Sequence, residues 1–241
     1  MRKATAELIL KDPDRFAHHD RVFLNNPVVM QGMGLAPLVV LATTAHNGVM
    51  LAAAVALLLV PSRVLACLLS RAFPLRDEQP AQEELEKKLL PRGLIYSGSA
   101  AVVYLAVYPI LNALFGVDLL ALGIYLPMLV VEPLLIYRFG RVQETMQKAV
   151  SKGLRITLGY VLLLLLLGCV REWMALGTVF GLPLLSRPVL PMASMPAGGF
   201  IVLGVLCAVW RALAQKRKAY LTKEARNLVD VHSQKEADRE Q

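Results

Sequence analysis

A chain of 241 residues, 56% hydrophobic and only 18% charged, does not build a water-soluble globule: soluble helices need a polar outer face, and typical soluble domains carry about 25% charged residues. Several stretches approach the roughly 20 apolar residues that cross a hydrocarbon core, and Val161 to Cys169 reads V-L-L-L-L-L-L-G-C, apolar all round. The formal charge of +8 would suggest nucleic acid in a soluble protein, but the basic residues sit in short segments between apolar runs. That is the charge pattern of a multi-span membrane protein, so the partner is the bilayer and not nucleic acid.

Residues 1–26 form a polar segment of mixed charge that contains His18-His19. Its apolar run of about four residues is too short for a signal peptide. The membrane domain is predicted over 27–213. Its first span, about Pro27 to Ala45, contains Gly32, Gly34 and Pro37, which predicts a helix interrupted near Gly34-Leu35-Ala36-Pro37. The second span, about Gly48 to Ser70, holds Pro61 and Arg63. A charged loop over about 71–92 follows, with Glu83-Glu84-Leu85-Glu86-Lys87-Lys88 reading as a solvated helical turn. The third span is about Gly93 to Phe115, and a turn at Gly116-Val117-Asp118 leads into the fourth, about Leu119 to Tyr137, with Pro127, Glu132 and Pro133 inside it. A basic loop over about 138–155 precedes the fifth span, about Ile156 to Met174. A Gly/Pro-rich stretch, 175–196, leads to the sixth, about Ala197 to Leu213. The tail, 214–241, is polar and is expected to fray into disorder.

Lys and Arg number five in the N-terminal segment, five in 71–92, five in 138–155 and eight from Arg211 onward, whereas the stretches 43–48 and 116–118 have none. This alternation supports about six spans and puts both termini in the cytoplasm. Trp173, Tyr137 and Trp210 near span ends suit an aromatic belt, and His46 reads as a polar residue at the outer interface. Cys67, Cys169 and Cys207 lie singly in separate apolar segments, a spacing that gives neither a disulfide framework nor a sequence-local metal site. Leu35-Ala36-Pro37-Leu38 and Val131-Glu132-Pro133-Leu134 lie three spans apart. An odd offset makes the two halves antiparallel, the pattern of inverted repeats with broken helices.

Asn26-Pro27-Val28-Val29-Met30-Gln31 and Gly34-Leu35-Ala36-Pro37-Leu38 resemble the opening of the small six-helix membrane subunits of Rnf and Nqr electron-transport complexes. Ile124-Tyr125-Leu126-Pro127-Met128-Leu129-Val130-Val131 continues the match, and Leu167-Gly168-Cys169-Val170-Arg171-Glu172 is its strongest part. Gly177-Thr178-Val179-Phe180-Gly181 and the run from Pro196 to Gly204 complete it, over about residues 22–214. Of the two homologous subunits, the chain is more similar to the E subunit of Rnf (the D subunit of Nqr).

The resemblance implies an all-α fold of six helices in two inverted three-helix repeats, with the first and fourth helices broken. It also implies a bacterial or archaeal cell membrane, an A-like sister subunit of opposite topology, and further subunits of a complex that couples electron transfer to sodium or proton translocation. In the family, a cysteine in each broken helix helps hold an iron–sulfur cluster between the sister subunits. Here those positions are Ala36 and Pro133. Neither offers the thiolate that such a cluster needs, so this chain is expected to supply no cluster ligand and to be a non-catalytic or electron-relay subunit. A repurposed small transporter, or an assembly scaffold on the same fold, is the alternative.

Two ionisable residues fall deep in predicted spans, Arg63 and Glu132. An ionisable residue centred on a membrane helix costs about 2.5–3.5 kcal/mol on insertion scales. Their depths agree within roughly 3 Å at the rise of an α-helix, which predicts that they pair. Arg171 and Glu172 close the fifth span, pointing about 100° apart and so unable to bridge each other. Their expected role is to cap backbone groups of the 175–196 stretch or to meet the sister subunit. No nucleophile–base constellation, phosphate loop or nucleotide fingerprint is present, so any redox chemistry belongs to other chains.

Overall fold

In a bilayer every backbone polar group must be satisfied within the protein, which restricts spanning segments of this composition to helices. The computed structural model of the chain describes residues 10, 20, 22–72, 82–131 and 146–237. Seven α-helices lie among the described residues: α1 (Pro27–Gln31), α2 (Leu35–Leu41), α3 (Ala45–Ala72), α4 (Gln82–Phe115), α5 (Tyr125–Met128), α6 (Met146–Leu176) and α7 (Pro196–Ala237). Four of them, α3, α4, α6 and α7, are long and apolar enough to cross a membrane. A two-residue hairpin, β1 (Thr178–Val179) against β2 (Leu182–Pro183), follows α6.

The predicted first span is α1 and α2 in sequence, separated at Gly32 and Gly34, which have φ of +67° and +72°. The interruption lies at the glycines. Pro37 is the third residue of α2, where its missing N–H falls among donors that a helix start leaves unpaired anyway. The predicted fourth span differs more. Its described part is a 3-10 helix over Gly116–Leu122, then α5, then a 3-10 turn over Leu129–Val131, with left-handed φ at Gly116 and Gly123. Left-handed residues cannot continue a right-handed α-helix, so the apolar run does not become one rod.

The long helices outrun the predicted spans. α4 begins at Gln82 and α6 at Met146, inside the two predicted charged loops, and α7 continues to Ala237 through the tail expected to fray. The tail keeps an apolar seam: Ala214 and Ala225 are buried, and Leu10 and Leu228 pack on Ala225. Packing of such a seam, more than propensity, holds a helix in water.

α3 and α6 form the centre. About half of each span is buried, 56% and 50%, against 17% for α4 at the edge. They approach closely where a Cβ on Gly168 would lie 2.8 Å from the Thr44 carbonyl oxygen. Helices in lipid associate through such small residues, because lipid tails are as apolar as leucine. Near the start of the chain, the Trp210 indole N–H donates to the Phe23 carbonyl at 3.0 Å and the two rings stack at 5.1 Å. This contact holds the entry to α1 against α7.

Candidate functional site at the broken first helix

α1 starts with an Asn-Pro signature: an N-cap side chain followed by a proline that needs no partner for a missing N–H. Asn26 is fully buried, and its Oδ1 accepts from the Val28 N–H at 3.0 Å. Its Nδ2 donates to the Val22 carbonyl at 3.2 Å and across to the Gly159 carbonyl of α6 at 2.9 Å. One carboxamide thus starts the helix and ties it to the core.

The interruption itself is held by the next residue of α6. The Tyr160 hydroxyl donates to the Gly34 carbonyl at 2.9 Å, and Tyr160 is fully buried. A Cβ at Gly34 would lie 2.6 Å from the Tyr160 Cε2 atom. Glycine is therefore required twice over, by its left-handed φ and by the ring against it. Ala36, two residues on, is exposed while Pro37 beside it is buried.

α2 ends and α3 begins within a few residues, and both ends are closed by one dipeptide of α6. Arg171 is fully buried. Its NH1 donates to the Val39 and Ala42 carbonyls at 2.6 and 3.0 Å, at the end of α2. Its Nε donates to Ala193 at 2.8 Å, and its NH2 to Ser194 and Met195 at 3.1 and 3.3 Å. All five donors of the guanidinium therefore meet backbone carbonyls. The cation also sits at the end of α2, where a helix dipole favours positive charge.

Glu172 completes the clamp with the opposite sign. Its Oε2 accepts from the Ala45 N–H at 2.8 Å, the first amide of α3, where the helix dipole favours an anion. Its Oε1 accepts from the Thr178 hydroxyl at 3.0 Å and the Gly181 N–H at 2.9 Å, which fixes the β1–β2 hairpin. Adjacent residues diverging by about 100° so reach two helix ends, the hairpin and the approach to α7. His46 of α3 and Asp118 of the 3-10 helix lie 3.4 Å apart, both exposed.

Arg63 is buried on α3 and packs on α6, where a Cβ at Gly153 would lie 3.3 Å from its Cδ atom. Its predicted partner Glu132 lies outside the described residues, as does Pro133. Cys67, Cys169 and Cys207 fall on α3, α6 and α7 respectively. No group of three or more His, Cys, Asp or Glu among the described residues is placed to hold a metal ion. Asn26 and Tyr160 are the additions to the sequence reading. The Asn-Pro pair carried a capping signal, whereas nothing in the sequence around Tyr160 points to a residue 126 positions away.

The sequence profile described as "Rnf-Nqr subunit, membrane protein" matches residues 17–207. The chain is 30% identical over 210 residues to the E subunit of the ion-translocating oxidoreductase complex of Shewanella oneidensis, covering 80% of this chain and 84% of that protein. The corresponding E subunits of Shewanella loihica and Shewanella baltica are each 29% identical, over 212 and 215 residues, covering 81% and 80% of this chain and 85% of each relative. The segments clamped by Asn26, Tyr160, Arg171 and Glu172 all lie within the matched region, and the chain belongs to the Rnf-Nqr subunit family of membrane proteins.

Proposed function

We propose that this chain is an E-like, multi-pass membrane subunit of an ion-translocating oxidoreductase complex of the Rnf/Nqr type, and that it scaffolds the translocation path without supplying iron–sulfur ligands. The observation that carries the reading is the broken first helix, held from α6, in a chain 30% identical to the E subunit of such a complex.

Two inverted three-helix repeats fit the order of elements. A broken segment (α1–α2) is followed by two long helices (α3, α4), and a second irregular segment (116–131) by two more (α6, α7). Pro37 and Pro127 each stand third in a helix that follows a left-handed glycine. The basic loops favour cytoplasmic termini. An A-like sister subunit of opposite topology is the natural partner for the exposed side of α4 and for the surface around Ala36.

The residues present do not suit a cluster bound by this chain. Ala36 has no donor atom, Pro133 has no side-chain ligand, and the three cysteines lie on three different helices. No electron-transfer step is therefore assigned to side chains of this chain, whose contribution is to position helices.

The absence of a thiolate at Ala36 also favours a second reading, a small transporter or assembly scaffold repurposed from the same fold. Affinity purification of the full chain from its native membrane separates the two. The leading reading expects a homologous membrane subunit and flavin- and iron-carrying chains to co-purify in fixed ratio. Purification of the chain without redox subunits, with sodium or proton flux in liposomes containing it alone, would overturn that reading in favour of the second.

A further inference from the structure

Between Glu172 and Arg211 the sequence holds one charged residue, Arg187. That run includes 177–195, the irregular connection between α6 and α7, where a loop in water would be polar. Its exposed side chains are instead apolar: Leu182, Leu184, Val189, Met192 and Met195 are 59% to 70% exposed. A contiguous apolar surface of this kind marks a contact with something other than water.

α6 supplies a ruler for the depth of this connection. At about 1.5 Å per residue, Arg171 lies roughly 24 Å and Met174 roughly 28 Å along the helix from Arg155, the last cation before its apolar run. A hydrocarbon core is about 30 Å thick, and any tilt of the helix brings both residues deeper. The connection passes the end of α6 and folds back beside its last turn. The Leu190 N–H donates to the Met174 carbonyl at 2.8 Å, and Arg171 donates to the carbonyls of Ala193, Ser194 and Met195. Residues 189–195 therefore sit at the depth of 171–174, inside the edge of the core. α7 gives the same answer. A Cβ at Gly199 would lie 2.9 Å from the Arg171 Cζ atom, which puts the first turn of α7 level with Arg171. Its uncharged part, from Pro196 to Trp210, measures roughly 22 Å against a core of about 30 Å. The missing length falls on 189–195.

Non-helical backbone persists at membrane depth only where the protein satisfies its polar groups. Pro188, Pro191 and Pro196 bring no N–H at all. The Ala193 and Met195 N–H groups donate to the Leu190 and Met192 carbonyls at 3.0 and 3.1 Å, and three carbonyls face the Arg171 guanidinium. We propose that 189–195 is an intramembrane segment, and that Val189, Met192 and Met195 form a binding surface for the acyl chains of the leaflet at this end of the bundle. The surface is continuous with exposed Phe200 and Ile201 of α7, and flexible thioether side chains adapt to mobile chains. Exposed Trp173 of α6 lies at the same level, where membrane proteins place tryptophan. Arg171 then has a task beyond closing α2, that of keeping an unwound segment in lipid. This requires only that α6 and α7 cross the bilayer, whatever redox role the complex has.

The test places the photoreactive residue p-benzoylphenylalanine at Val189 or Met192 of the full chain in its native membrane. Ile201, in the membrane-crossing part of α7, is the reference, and adducts on the chain are identified by mass after irradiation. Both loop side chains are exposed, and the melting of each variant checks its folding. Lipid adducts should form at both positions, with yields within about threefold of Ile201. Absence of lipid adducts at either position, or adducts to another protein chain in their place, would overturn the proposal. A lipid adduct at Ile201 in the same membranes would leave the spanning of α7 intact, so the two failures are distinguishable. A second readout needs no bulky probe. In nanodiscs, Met192→Cys in a chain with Cys67, Cys169 and Cys207 replaced by alanine should react with a water-soluble maleimide at least about tenfold more slowly than Lys223→Cys in the same background, because the thiolate reacts and apolar surroundings disfavour it. Equal rates would overturn the proposal as well.

Discussion

The two irregular segments of this protein look alike in sequence and differ in what holds them. Both carry glycines in the left-handed region and a proline at the third position of the following helix. At the first, α6 reaches over with Asn26 bound to Gly159, Tyr160 bound to Gly34, and Arg171 and Glu172 closing the ends of α2 and α3. At the second, Gly116 has nothing within 4 Å of where its Cβ would be, and the neighbouring surface opens into a groove of about 340 Å³ lined by Tyr104, Tyr108 and Asn112. Breaking a helix is a local property of glycine and proline. Keeping it broken in one geometry requires distant side chains that satisfy the freed backbone groups.

Removing the clamp should have the largest effect. Arg171→Leu removes the donors of five backbone carbonyls, three of them in buried bonds, to Ala193, Val39 and Ala42, and each buried partner lost costs about 1–3 kcal/mol before relaxation. A loss of about 3 kcal/mol or more is expected, seen as a large drop in melting temperature in detergent. Arg171→Lys should recover part of it, since lysine keeps the charge and has three donors instead of a planar set of five.

Glycine substitutions test the two segments directly. Gly34→Ala meets both a left-handed backbone, worth about 1–2 kcal/mol, and the Tyr160 ring at 2.6 Å. Gly116→Ala meets the backbone penalty alone. The first should therefore lower the melting temperature clearly more than the second, and equal effects would erase the contrast between the segments.

Much of this contrast was out of reach of the sequence. The apolar runs, the interruption near Gly34 and the position of Arg171-Glu172 are readable because hydropathy, glycine and proline act locally. The partners of Arg171 and Glu172 are not, because the bonds to Val39 and Ala45 close over 132 and 127 residues. Helix ends were also hidden. Hydropathy sees only the membrane-crossing part of α7, so the span predicted to stop near Leu213 continues to Ala237. The fourth span, over 119–137, is expected to break near Pro133, a position outside the described residues; within them the interruption lies at left-handed Gly123, which the proline signal does not mark.

Smaller effects sharpen the account. Glu172→Gln keeps an acceptor for the Ala45 N–H and removes the charge beside the start of α3, so about 1–2 kcal/mol should be lost. That loss should be accompanied by faster amide exchange in the 178–183 hairpin. Tyr160→Phe keeps the ring and removes the hydroxyl that donates to the Gly34 carbonyl, for about 0.5–1.5 kcal/mol. Exchange protection should fall at 32–36 with little change at 116–124.

The central claim, that this chain is an Rnf/Nqr-type subunit without cluster ligands, meets its most direct test in a cysteine-free variant. Cys67, Cys169 and Cys207 are replaced together by alanine in the intact complex, and iron per complex and the electron paramagnetic resonance signal of the reduced sample are measured beside the unaltered complex. The account predicts the same iron content and the same signal in both. Loss of iron or of a cluster signal from the variant, with the complex still assembled, would contradict it.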